Sequence, residues 1–221
     1  MKNWAISLMM RWMRCGRDDR MYINWQMREL NIKIVYYGPA LSGKTTNLEQ
    51  IHKRVDPQRR GELVSLKTHE DRTLYFDFLQ LELGKIGGLT PKIHLYTVPG
   101  QIYYEISRKL VLKGTDGVVF VADSSSRRFA DNQESWKKLQ EQLGTFGIAL
   151  NSIPIIVQFN KQDVPDALPP MAMKMMLRLN GYPFYSATAI RGEGVFDTLK
   201  GITRGVMECA QREVAYVETA R

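Results

Sequence analysis

Gly38-Pro-Ala-Leu-Ser-Gly-Lys-Thr45 sets two glycines, a lysine and a hydroxyl at the G-x-x-x-x-G-K-[ST] spacing of a phosphate cradle. Glycines let successive backbone N–H groups turn toward anionic oxygens, and the start of a following helix adds partial positive charge. In such a cradle Lys44 reaches the β- and γ-phosphates and the Thr45 hydroxyl ligates Mg²⁺. Gly38, Pro39, Ala40, Leu41, Ser42, Gly43, Lys44, Thr45 and Thr46 are therefore candidate nucleotide-binding residues.

A second constellation selects the base. Asn160-Lys-Gln-Asp163 is an N-K-x-D motif behind an apolar run. The Asp163 carboxylate can accept from guanine N1–H and the exocyclic N2 amine together. Adenine offers neither proton at that edge and would leave the carboxylate unpaired. Asn160 would brace the loop near the base, and the Lys161 stem would cover the base face. Ser186, Ala187 and Thr188 form a small-residue loop whose backbone N–H could reach guanine O6.

Two further segments face the triphosphate. Thr97-Val-Pro-Gly100-Gln101 stands where a D-x-x-G element would be. Gly100 would give its N–H to the γ-phosphate and Gln101 would orient the attacking water. Thr97, in place of the usual aspartate, could still hold a water on Mg²⁺, but without charge. The stretch 61–73 carries Lys67, Thr68, Arg72 and Thr73 where a loop would cover the phosphates, and composition does not choose among them.

The elements that must position these groups alternate. Ile32–Tyr37, rich in β-branched and aromatic residues, predicts a buried strand, and 45–53 predicts a helix. Thr73–Leu79 and Lys92–Thr97 predict a hairpin around a glycine-rich turn at 83–88. Gly117–Ala122 and Ile153–Phe159 are continuous apolar runs suited to central parallel strands. A short strand at 183–185, a helix over 126–144 and an amphipathic helix carrying Val195, Leu199, Ile202, Val206 and Ala210 complete the pattern. One doubly wound α/β domain over 21–221 accounts for it.

The chain has 221 residues, a net charge of +8 and an apolar fraction of 44%. That length suits one domain with a sizeable core. No apolar run reaches the roughly 20 residues needed to span a bilayer. Cys15 and Cys209 form no C-x-x-C pair, which fits free thiols in a reducing cytoplasm. The excess charge reads as a solvated basic face, with no nucleic-acid partner indicated. Residues 1–20 look like a separate leader, disordered or interfacial: Trp4, Leu8, Met9, Trp12 and Met13 beside Arg11 and Arg14 suit weak membrane contact.

Several stretches carry a resemblance that covers about 21–210. They include Ile34-Val-Tyr-Tyr-Gly-Pro, Asp71-Arg-Thr-Leu-Tyr-Phe-Asp-Phe-Leu, His94-Leu-Tyr-Thr-Val-Pro-Gly-Gln and Gly117-Val-Val-Phe-Val-Ala-Asp. The sequence resembles the bacterial gliding-motility (MglA) family of Ras-like small GTPases. The resemblance implies a Ras-like P-loop NTPase fold, with a mostly parallel six-stranded sheet and helices on both faces. It implies a cytoplasmic GTP/GDP switch with Mg²⁺ that acts in cell polarity, and a roadblock-type homodimer (MglB-like) as activating partner. It makes Arg72 an intrinsic arginine finger and Thr73 the switch threonine on the metal. Ala40, where the family usually has glycine, and the leader are departures. A nucleotide-binding scaffold with negligible hydrolysis and a P-loop kinase or ATPase are the alternatives, and the latter leaves Asn160-Lys-Gln-Asp163 unexplained.

Overall fold

In the computed structural model the described residues are 22–66, 76–85, 87–100 and 104–219. Strands β1 (Tyr22–Asn24) and β2 (Glu29–Tyr37) lead into helix α1 (Lys44–Arg54), then strands β3 (Val64–Leu66), β4 (Phe76–Glu82) and β5 (Thr90–Thr97). Helix α2 (Glu105–Leu112), strand β6 (Gly117–Asp123), helix α3 (Phe129–Thr145) and strand β7 (Ile155–Asn160) follow. Helix α4 (Pro170–Met176), strand β8 (Phe184–Ser186) and helix α5 (Val195–Thr219) close the chain.

These strands form one sheet in the order β3-β4-β5-β2-β6-β7-β8, with β1 paired to β2. Neighbours from β5 to β8 run parallel, while β1 with β2, β3 with β4 and β4 with β5 are antiparallel. The described sheet thus has eight strands where the sequence reading expected six. The two additions, β1 and β3, are three residues each. Runs that short carry no periodicity to detect. The strand expected over 73–79 is β4, described from Phe76 to Glu82; residues 73–75 lie outside the described residues. Helices α2 and α4 were not anticipated, because eight and seven residues give only about two turns.

The burial of β2 shows how the layers assemble. Its first residues alternate, and from Ile32 onward every side chain is buried. The change comes as β6 joins at Ile34, so that β5 and β6 flank the strand while helices cover both faces. Ile34 and Tyr36 pack with Leu48 and Ile51 of α1 and Val195, Leu199 and Ile202 of α5. Val35 and Tyr37 point the other way, into a cluster with Val111, Trp136, Leu139 and Met173 from α2, α3 and α4. Trp136 stands edge-on to Phe120 at 5.0 Å and to Tyr182 at 5.2 Å, which locks α3 onto β6.

Buried polar groups fix the functional edge of this sandwich. Asn47 of α1 and Gln158 of β7 exchange amide hydrogen bonds at 2.8 and 2.9 Å, and Gln158 also donates to Thr198 of α5 at 2.9 Å. Asn132 of α3 holds both backbone groups of Asp123, accepting from its N–H at 2.9 Å and donating to its carbonyl at 2.8 Å. Because each of these amides is satisfied inside the protein, they set the ends of β6 and β7 relative to α1, α3 and α5. No helix among the described residues is long and apolar enough to cross a membrane.

Candidate functional site: a guanine-nucleotide cleft

The loop between β2 and α1 is 38–43, at the carboxyl edge of the parallel strands. Gly43 caps α1 in the left-handed region, with φ of 96°, and a Cβ there would stand 2.2 Å from Asn160 Nδ2. Only glycine meets both demands. The first turn of α1 holds no acidic residue, while His52, Lys53 and Arg54 lie in the last turn. The helix thereby leaves its positive end open to an outside anion. Leu41 adopts φ of 64° and is 82% exposed, so its backbone serves the shape of the loop while its side chain adds nothing to the core.

Lys44 is buried, and its ammonium donates to the carbonyls of Gly38 at 3.0 Å and Pro39 at 2.6 Å. Burial lowers its pKa to about 7, against a smaller upward pull from Asp77. A lysine held so close to neutrality gains full charge when phosphate oxygens arrive.

Asp77 was not singled out in the sequence and is central in the structure. Its Oδ2 accepts from Thr45 Oγ1 at 2.6 Å and from Thr97 Oγ1 at 2.9 Å, and its Oδ1 accepts from Ser65 Oγ at 2.6 Å. The Asp77 N–H donates back to Thr97 Oγ1 at 2.9 Å. Thr97 is therefore a buried link between strands, and the carboxylate beside the Thr45 hydroxyl belongs to Asp77 on β4. Its signal was one acid inside the apolar stretch Tyr75-Phe-Asp-Phe-Leu79. Hydroxyl and carboxylate oxygens without nitrogen or sulfur suit a hard cation, so Thr45 and Asp77 fit Mg²⁺ held directly or through water. A cleft of about 670 Å³ opens here, lined among others by Ala40, Lys44, Thr45, Asp77, Thr97 and Gly100.

The base loop is braced against the phosphate loop. Asn160 donates to the Ser42 carbonyl at 2.8 Å and accepts from the Ala189 N–H at 2.8 Å. Lys161 has φ of 65° and reaches Asp123 Oδ2 at 2.7 Å, which holds its stem across the loop. Asp163 and Ser186 are exposed at this edge. The Ala187 N–H donates to the Phe159 carbonyl at 2.9 Å and that of Thr188 to Glu193 at 3.1 Å. An O6 contact from either would share its donor.

The family model for the ADP-ribosylation factor (Arf) family matches residues 20–206. The chain is 51% identical to the mutual gliding-motility protein MglA of Myxococcus xanthus over 186 residues, 84% of this chain and 95% of that protein. The chain is an MglA-like small GTPase of the Arf family. More distantly, the ADP-ribosylation factor-like protein 6 of Caenorhabditis briggsae is 24% identical over 88% of this chain and 93% of its own.

This GTPase binds GTP and hydrolyses it to GDP. Its described residues bring together Gly38–Thr46, Gly100 and Asn160, with Asp163 at the far edge. Arg72, Thr73 and Gln101, together with Lys67, Thr68 and the leader 1–20, lie outside the described residues. Gly100 sits against the phosphate loop itself: a Cβ there would stand 2.3 Å from Ala40 Cα and 2.4 Å from Ala40 N. Gly100 itself thus packs directly on the Ala40 backbone.

Proposed function

We propose that this GTPase is a GTP/GDP switch that sets cell polarity or motility in the cytoplasm. Thr45 would hold Mg²⁺, supported by Asp77 and Thr97, with Thr73 as a further ligand, and a roadblock-type homodimer (MglB-like) is the activating partner. The observation that carries this reading is the 51% identity that extends over 95% of MglA. Asp163 takes the guanine N1–H and N2 amine, Asn160 braces the two loops, and the helix α1 terminus with Lys44 takes the phosphates. The metal, when bound, neutralises charge developing on the β- and γ-oxygens. Gln101 holds the attacking water, and Arg72 comes from the chain's own loop to meet transition-state charge. The partner brings these two groups into place and adds no arginine.

Single-turnover GTP hydrolysis with and without a roadblock-type homodimer tests the reading. Arg72→Ala should leave GTP affinity within a few fold and lower the stimulated rate by roughly 10³. Gln101→Leu should behave alike. Normal turnover by either variant removes that residue from the catalytic set. Wild-type hydrolysis that the partner does not change removes the roadblock-type homodimer from the reading.

A further inference from the structure

Ala40 is held from two sides by groups that the nucleotide motifs do not include. Arg128, the residue that opens α3, donates from Nη2 to the Ala40 carbonyl at 2.8 Å across 88 positions of sequence. Its Nη1 is paired with Asp131 Oδ2 at 2.6 Å, one turn into the same helix. A planar guanidinium fixed by a carboxylate on one edge presents its other edge at a set angle. It therefore holds the carbonyl in one place. The residue lines an adjoining cavity of about 290 Å³ with Tyr37, Pro39, Arg108 and Asp131, which shares Ala40 and Gly100 with the nucleotide cleft. Lys44 and Thr45 line the nucleotide cleft in front.

Three successive carbonyls of the phosphate loop are thus engaged, and the third faces a different way. Lys44 takes those of Gly38 and Pro39 from within the cleft. Arg128 takes that of Ala40 from behind. In a trans peptide the carbonyl and the following N–H point in opposite directions. A carbonyl drawn backward at Ala40 turns the Leu41 N–H forward, toward the cleft that Leu41 lines. Leu41, at φ of 64°, continues the reversal into Ser42 and the left-handed Gly43. The Ser42 N–H closes onto the Pro39 carbonyl at 3.4 Å, and a turn of this kind presents backbone N–H groups as an anion cradle. Each N–H is directional, so a swing of the Ala40–Leu41 peptide would misalign the cradle with little change in overall packing.

We infer that Arg128 is a positioning residue for GTP hydrolysis: with Asp131 it clamps the Ala40 carbonyl from behind the phosphate loop and so aims the Leu41 N–H at the phosphates. Arg128 does not line the nucleotide cleft and acts through one peptide plane. The position of α3 thereby bears on the geometry of the reacting phosphates.

The test compares Arg128→Ala, Arg128→Lys and Asp131→Asn in the full chain. Three readouts are single-turnover hydrolysis at saturating GTP, equilibrium GTP affinity, and the phosphorus NMR resonance of the β-phosphate in bound GDP. Arg128→Ala should lower the rate by about 10- to 100-fold, as expected of a reacting group displaced by about 1 Å, and should shift the β-phosphate resonance. Affinity should change by less than about threefold, since a transition-state defect need not appear in ground-state binding. Arg128→Lys keeps the charge and donors for the carbonyl but loses the planar fork that fixes their angle, so its rate should lie between alanine and wild type. Asp131→Asn, which keeps the arginine, should give a smaller loss in rate and a smaller shift of the same sign. An unchanged rate in Arg128→Ala, or a rate loss with the resonance unmoved, overturns the inference. Identical losses in rate and affinity for alanine and lysine would also overturn it, and would mark Arg128 as a tether for α3 only. Should Arg128→Ala not fold, the other two variants carry the same comparison.

Discussion

Thr45 Oγ1 donates to Asp77 Oδ2 across 2.6 Å, joining the first turn of α1 to a carboxylate on the antiparallel arm of the sheet. A hydroxyl that ligates a metal must have its proton taken elsewhere, and this carboxylate takes it. In the proposed metal site the charge missing at Thr97 would be supplied by this carboxylate of the neighbouring strand, to which Thr97 donates at 2.9 Å.

Asp77→Asn should therefore weaken Mg²⁺ binding by roughly 10- to 100-fold, the range seen when a supporting ligand is lost. GDP release from the variant should be fast and nearly indifferent to chelator, whereas release from wild type should accelerate on chelation. Equal chelator sensitivity in both proteins would remove Asp77 from the metal site. The thermal midpoint must be measured alongside, because three side-chain hydroxyls converge on this group.

Base selection gives a second prediction. Asp163→Asn replaces an acceptor with a donor that faces the guanine amine. The loss of paired charge-assisted bonds should cost on the order of 2–4 kcal/mol of GTP binding. Xanthosine triphosphate, with a carbonyl in place of the amine, should recover part of that loss. Unaltered GTP affinity in a direct titration would contradict the assignment.

Lys44 makes nucleotide binding depend on pH with a definite sign. Burial lowers its pKa from the ordinary 10.5 to about 7 in the nucleotide-free fold. Between those values the unfolded chain binds more protons than the folded one, so the stability of the free protein rises with pH across that window. Phosphate oxygens favour the charged form and draw the pKa back up. Binding above about pH 7 therefore takes up a proton, and affinity falls as the pH rises. Calorimetry near pH 8 in buffers of different ionisation enthalpy should show that uptake, and heats independent of buffer would refute it.

At Ala40 the backbone meets Gly100 on one side and Arg128 on the other. In the proposed site this backbone passes close to the γ-phosphate, where a methyl takes space that a glycine would leave open. Ala40→Gly should raise partner-stimulated hydrolysis by about 10-fold or more, with nucleotide affinity nearly constant. A rate equal to wild type at saturating partner would show that the methyl is no obstacle.

Much of this arrangement could be read before any coordinates. The phosphate loop and the N-K-x-D loop are contiguous in sequence, and each follows an apolar strand long enough to recognise, so both the motifs and their edge of the sheet were legible. Asp77 and Arg128 were not. Asp77 acts through Thr45 and Thr97, 32 and 20 residues away, and Arg128 through a carbonyl 88 residues away. Partners that distant leave no spacing to detect; only the fold brings them together. The short elements β1, β3, α2 and α4 escaped for the opposite reason, since local pattern needs length. Lys161 shows a third kind of gap: its motif was clear, but its partner Asp123 emerges only from the pairing of β6 with β7.

The contact of Gly43 with Asn160, where even a methyl would collide at 2.2 Å, has a consequence for how affinity is built. With Asn160 also bonded to Ser42, the phosphate and base subsites share one rigid wall and have no hinge between them. A nucleotide that engages both is a chelating ligand whose second half arrives at an effective concentration set by the nucleotide's own short linkage. Guanosine or pyrophosphate alone forgoes that advantage, and each should bind feebly even though every contact it makes is intact. Retention of GDP would then be a property of the covalent bond between sugar and phosphate as much as of any residue in the cleft.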